Sequence, residues 1–407
     1  MTAMTAQRRP DPLASARNRD ILHACRALGI LQVIWFHVII AVARLAPEGA
    51  MPGIIDRIPG VLNPLWQAMG VDLIFMVSAL LLGLSLLSEA QDTGRISLRA
   101  HAIKRLSRIL PLYWLALLVY ALAEGRFGGD FWRSALFAGH ILGDRNVIPV
   151  GWSMEVIILV YMALPFAVMG LLRSRRPWLW LAGALALTSL PRLAYLVLSH
   201  ADAAGFYPVM LADRTPPPAA FDLYFRPWFR LSPFVIGLGL AFALSRGWRP
   251  PLRPFLWLLS FAGLVYGTGL PIHDADSWPY RMGGPVFWSL FWAFCHTIFA
   301  LGAAGVIWLA VTGHGTARLP LHRLWQAISQ AIFPIYLFHM PIIALAAIPV
   351  YRSTDLQALA GTTVAHVLAT GVLTAALTLG LAMLLNRYVE APLQTRLRRR
   401  FLGNAPK

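Results

Sequence analysis

Cysteine and charge are what this sequence has least of. Two cysteines occur among 407 residues, and Cys25 and Cys295 match no metal-binding or redox spacing, so no chemistry is assigned to them and no metal is expected. Only 13% of the residues are charged, while 58% are hydrophobic and the mean hydropathy is +0.62. That balance excludes an ordinary soluble globular domain. Acidic residues are the scarcest of the charged set, 18 against 35 Lys and Arg, for a formal charge of +17. A nucleic-acid partner is not expected, because the basic residues fall in short clusters between apolar runs instead of lining one polar face. The N-terminal stretch MTAMTAQRRPDPLASARNRD lacks the short apolar core and small-residue cleavage site of a secretory signal peptide. The composition describes a polytopic membrane protein.

Apolar stretches approaching the ~20 residues that cross a bilayer fall at 28–45, 65–87, 109–123, 151–172, 178–198, 231–245, 255–271, 286–312, 326–350 and 360–385. The expected fold is therefore all-α, a bundle of about ten transmembrane helices in a bilayer. With the N-terminus inside, 24 of the 35 Lys and Arg fall on the inner side, which the positive-inside rule favours. Both termini are then cytoplasmic, in a bacterial-type inner membrane, and the connections 124–150 and 199–230 face outward. The chain divides into a disordered basic leader (1–20), a membrane domain (21–392) and a basic cytoplasmic tail (393–407). No internal repeat is evident.

The stretch RALGILQVIWFH carries Arg26 and His37 with no charge between them. Eleven helical residues turn through about 1100° and rise roughly 16 Å, so the two side chains share a face. Arg26 then marks the cytoplasmic surface and His37 a point near mid-bilayer. A molecule with an anionic head and a thin arm of that length, such as coenzyme A, fits the interval. The plainer readings are a helix-end anchor for Arg26 and an interhelical hydrogen bond for His37. In KRLSRILPLYW, Arg105 and Arg108 are i, i+3 neighbours able to converge on a phosphate, or else an ordinary basic flank.

These residues resemble the integral-membrane acyltransferase family 3, which includes sugar and polysaccharide O-acetyltransferases. RALGILQVIWFH looks like the family's Arg, ten residues, His element. RLSRILPLYW is similar to its Arg-x-x-Arg element with a following Pro-Leu-Tyr/Trp run. GVDLIFMVSALLLG, GWSMEVIILVYMALP, IYLFHMPI and RYVEAPL resemble further family segments, bringing Asp72, Ser78, Trp152, Glu155, Tyr161, His339 and Glu390 into register. Two departures stand out: Ala79 where a glycine is expected, and Ile157 where a second glutamate is expected. No extracellular hydrolase-like domain is attached.

The resemblance implies transfer of an acyl group, usually acetyl, from cytoplasmic acyl-CoA to a hydroxyl of a carbohydrate or glycolipid. Arg26, Arg105 and Arg108 would grip the phosphates of CoA. His37 would act as general base on the acceptor hydroxyl, a task that suits imidazole near neutral pH, or carry the acyl group itself. Asp72 would orient an imidazole or pair with a buried arginine. Glu155 would bind an acceptor hydroxyl or simply favour a helix N-terminus. His339 would line the acyl tunnel or satisfy a carbonyl freed by Pro341, and His296 is read as a packed polar residue. Trp152 and Tyr161 would form a sugar-stacking wall or an interfacial aromatic belt. The competing class is a secondary transporter or proton-coupled exporter with His37, Asp72 and His339 as a relay, against which the missing repeat speaks.

Overall fold

The structure is a computed structural model that describes residues 12–45, 69–143, 145–201, 218–250, 252–268, 278–313, 316–352 and 362–403. Every regular element among the described residues is helical. The long elements are α1 (Ala16–Leu45), α2 (Met69–Thr93) and α3 (Leu98–Glu124). A short α4 (Gly129–Ala135) precedes α5 (Trp152–Arg173) and α6 (Pro177–Leu198). The outward-assigned connection supplies α7 (Pro218–Phe225) and a 3-10 turn at Pro227–Arg230. Next come α8 (Ser232–Ser245), α9 (Arg253–Thr268) and α10 (Trp278–Val311). The chain then forms α11 (His322–Gln330), α12 (Ile332–Tyr351), α13 (Val364–Leu385) and, after a π-helical turn at Asn386–Glu390, α14 (Ala391–Leu402).

Among the described residues nine helices are long and apolar enough to cross a membrane, so the chain is a multi-pass membrane protein. Each of the ten apolar runs read from the sequence falls on helix over most of its described residues, with 65–68, 269–271 and 360–361 lying outside them. The run at 255–271 falls on α9, whose 16 residues are too few to count among the nine. Two boundaries differ from the sequence reading. The run at 326–350 is broken at Ala331, which separates amphipathic α11 from apolar α12. Helix α1 starts ten residues before Arg26, about 15 Å along the axis, because polar Arg17, Asn18, Arg19 and Asp20 continue the helix. Asp20 is 1% exposed and accepts two hydrogen bonds from Arg318, so its charge is neutralised within the bundle.

Small residues let the central helices approach, as they do where lipid offers no competing hydrophobic drive. Helix α1 crosses α2 at Gly29 and Gly70, where a Cβ on Gly70 would stand 2.2 Å from the Gly29 carbonyl oxygen. Helix α2 then packs on α8, and a Cβ on Gly237 would stand 2.2 Å from the Met76 carbonyl and 2.9 Å from Cβ of Ala79. The glycine missing at Ala79 is thus offset by one on the facing helix. Around this spine α12 packs on α13 and α1, and α10 joins α8, α9 and α6.

Gly70→Ala and Gly237→Ala should each lose about 1–3 kcal/mol through overpacking, read as a lower thermal-melting midpoint in detergent. Gly183→Ala, where a Cβ meets nothing within 4 Å, should be neutral or slightly stabilising. Equal melting of all three variants would refute the close crossings.

Candidate active site

Proline inside a helix frees the carbonyl four residues earlier, and in lipid that oxygen needs a new donor. Pro341 in α12 frees the Leu337 oxygen, which accepts from the Tyr120 hydroxyl at 3.0 Å. Pro165 in α5 frees the Tyr161 oxygen, which bonds His101 Nε2 at 2.8 Å. With Leu337 satisfied by Tyr120, the fully buried His339 is available for another task.

That task is His37. Helix α1 runs beside α11 and then α12 in the same direction, with His23 bonded to Ser329 of α11 at one level and His37 to His339 of α12 at the next. His339 Nδ1 lies 2.8 Å from the Tyr336 oxygen and 3.2 Å from the Ile335 oxygen, and His37 Nδ1 lies 2.8 Å from the Val33 oxygen. A carbonyl only accepts, so both Nδ1 atoms carry the proton. His339 Nε2 therefore accepts from His37 Nδ1 across 3.1 Å. This fixes His37 as the tautomer whose basic lone pair is on Nε2.

A narrow cavity of about 60 Å³ leads toward the pair. Arg26, Arg108 and Tyr161 line one end, and Ser153 and Tyr336 line the other. Ser153 and Tyr161 lie on α5 eight residues apart, about 12 Å. The Tyr336 ring is 5.8 Å from that of His339, so the cavity reaches the neighbour of the imidazole pair. Ser153, Ile157 and Tyr161 follow one another at four-residue intervals, and Ile157 faces the cavity where the family resemblance called for a carboxylate.

The arginine end is electrostatically incomplete. Arg105 lies over the Tyr161 ring at 5.9 Å, and Arg108 Nε stands 3.6 Å from Glu390 Oε1. The Nε atoms of Arg26 and Arg105 and the Oε2 atom of Glu390 are buried without a hydrogen-bond partner. Three guanidinium groups thus share one carboxylate.

Asp72 is placed away from His37. It sits in the first turn of α2, fully buried, with Oδ2 3.1 Å from Arg230 Nη2 and 2.9 Å from His296 Nδ1. Arg230 Nη1 donates to His296 Nε2 at 2.7 Å, which leaves His296 neutral with its proton on Nδ1. Asp72 pairs with a buried arginine, Arg230, and also holds an imidazole, that of His296 and not that of His37. Arg230 also lies 5.1 Å from the Trp152 ring and 5.0 Å from the Tyr224 ring, a guanidinium held between two aromatic faces. Trp152 is 2% exposed and packs on Phe75 and Tyr224 as well, so its indole faces protein. Tyr224 in turn stacks on Phe36, the neighbour of His37. Glu155 is fully buried and gathers the segment before α5, accepting from the His140 backbone N–H and from Asn146 Nδ2 at 2.9 Å.

The sequence reading left Arg230, Tyr224 and Arg192 unassigned and took His296 for packing. Their partners are 66 or more residues away for His296 and Arg230, and no local spacing announces them. Arg192 donates to the carbonyls of Trp292, Ala293, Leu223 and Phe229, tying α6 and α10 to α7 and the turn that carries Arg230.

Half-buried His37 bonded to buried His339, with a cavity running from Arg26 and Arg108 to the neighbouring Tyr336, forms a polar site inside a helical membrane bundle. The acyltransferase domain of acyltransferase family 3 matches residues 19–387, nearly the whole chain, and the protein belongs to that family. It is a membrane acyltransferase, and the transporter alternative falls away. No curated protein and no solved structure matches the chain.

Removing either member of the buried pair alone, Asp72→Leu or Arg230→Met, should destabilise the protein by about 3–5 kcal/mol, because an unpaired charge is left inside. The double variant should recover much of that loss in detergent melting experiments. Simple addition of the two single losses would mean the pair is uncoupled.

Proposed function

We propose that the protein moves an acyl group, acetyl in the simplest case, from cytoplasmic acyl-CoA to a hydroxyl of a carbohydrate or glycolipid. The observation that carries the reading is the cavity with Arg26 and Arg108 at one end and Tyr336, beside His339, at the other. The donor's phosphates bind Arg26, Arg105 and Arg108, where buried N–H groups have no protein partner. The acyl-pantetheine arm runs up the cavity, and the thioester lies at its imidazole end.

His37 Nε2 takes the proton of the acceptor hydroxyl as the oxygen attacks the thioester carbonyl. The tetrahedral intermediate collapses, the carbon–sulfur bond breaks and the imidazolium returns the proton to the CoA thiolate. His339 is a positioning residue in this scheme. Its acceptor nitrogen holds the proton of His37 on Nδ1 and so keeps the lone pair on Nε2. Orientation with both termini cytoplasmic follows from the excess of Lys and Arg on that side. The bacterial-type inner membrane and an acceptor approaching from the opposite face belong to the same reading.

Membranes carrying the protein should transfer label from radiolabelled acetyl-CoA to extracted glycans. His37→Ala should slow transfer at least about 100-fold with acyl-CoA binding retained, the scale of a lost general base. His339→Ala should cause a smaller loss with the same KM. Absence of transfer by the wild type, or equal transfer by His37→Ala, would overturn the mechanism.

Arg105→Ala and Arg108→Ala together should raise KM for acyl-CoA at least tenfold while leaving acceptor dependence unchanged. An unchanged KM would remove these arginines from the donor site.

A further inference from the structure

We propose that Arg398, on the tail helix α14, forms a separate subsite for the ribose 3′-phosphate of the donor, beyond the diphosphate bound by Arg26, Arg105 and Arg108. The inference rests on the acyl-CoA reading above. It starts from where the chain places α14. Four arginines in twelve residues are too many for a bilayer core, and the helix folds back along the first turns of α3. Arg99 Nη2 reaches the Phe401 oxygen at 3.5 Å, and Arg398 Nη2 donates to the Lys104 oxygen at 3.3 Å. That bond sets Arg398 next to Arg105.

The placement is electrostatically unfavourable for the protein alone. Arg398 lies within the field of Arg108, and Arg105 within the fields of both. The Nε atom of Arg398 is buried with no hydrogen-bond partner, as are those of Arg26 and Arg105. Among the described residues Glu390 is the one carboxylate ion-paired with this group, through Arg108. Four cations around one carboxylate call for a polyanion with more than one phosphate group.

The order along α3 selects which phosphate. From the imidazole pair outward the chain presents Arg108, then Arg105 about 4.5 Å further along the axis, then Lys104 with Arg398 resting on it. A donor whose thioester lies near His37 and whose diphosphate lies at Arg108 has its nucleotide end directed at the start of α3. The anionic group on that end of CoA is the 3′-phosphate, a monoester carrying nearly two negative charges near neutral pH.

The test compares CoA with 3′-dephospho-CoA, which share thiol, arm and diphosphate, by calorimetric binding to the full chain in nanodiscs. Wild type should bind CoA about tenfold more tightly, the scale of one charge-assisted contact. Arg398→Gln should lose that preference while binding dephospho-CoA as wild type does, and Arg398→Lys should keep part of it. Arg399→Gln, an exposed change on the same helix, should leave both affinities unaltered. Equal binding of the two ligands by wild type, a preference that survives Arg398→Gln, or a uniform weakening of both ligands would overturn the subsite alone. Wild type that binds neither ligand would overturn the donor reading and the subsite with it.

Discussion

A bilayer supplies no hydrogen-bond partner, so every polar group that this chain carries into the membrane must be answered by another part of the chain. The arrangement of the site follows from that constraint. Carbonyls freed by Pro165 and Pro341 are taken by His101 and Tyr120, and Arg192 answers four carbonyls at the junction of α6, α7 and α10. Asp72, Arg230 and His296 close on one another in a ring of three hydrogen bonds. Because those demands are met elsewhere, His339 is left to bond His37, and the proton on His37 Nδ1 leaves the ring's lone pair on Nε2.

The same constraint makes the arginine end conspicuous. Around Asp72 one carboxylate faces Arg230, with Asp72 Oδ1 and Arg230 Nε left without partners, whereas around Arg26, Arg105 and Arg108 three guanidinium groups stand near the single carboxylate of Glu390. A structural ion-pair network would be expected to balance, since an uncompensated buried cation costs several kcal/mol. The excess of cations at one end of the cavity is what supports reading that end as the anion site of the proposed donor. Glu390, the last residue of a π-helical turn, tempers the repulsion through its contact with Arg108.

How much of this was legible in the sequence depended on how local the signal was. Apolar runs located the helices, because membrane span length is a local property, and the eleven-residue interval put Arg26 and His37 on one face. Helix α1 began earlier than its hydropathy suggested, since Asp20 is neutralised by Arg318, 298 residues away, and the polar turn could stay helical inside the bundle. The break between α11 and α12 follows Gln326, Ser329 and Gln330, polar residues that the reading of 326–350 had counted into the span. Arg230 and Tyr224 were invisible for a different reason: they lie in a connection rich in proline and aromatics whose residues acquire meaning only where the chain returns to Trp152 and Asp72. The resemblance to acyltransferase family 3 supplied Asp72 and His339, but only the fold could divide them, one into a buried ion pair and the other beside His37.

Ile157 gives the last step. It lies one turn above Tyr161 and one turn below Ser153 on the face of α5 that lines the cavity. A glutamate there would share the cavity with Arg26 and Arg108, neutralise part of their field and oppose any phosphate that approached. An isoleucine keeps that field intact and makes the middle of the passage aliphatic, with Ile74, Phe75 and Ile109 as its other walls. The cavity then passes from cationic to apolar to hydroxyl-lined along its length. A donor with an anionic head, a thin arm and a reactive carbonyl would meet those walls in that order, and this match of chemistry to position is the support the cavity lends to the proposed acyl-CoA reading.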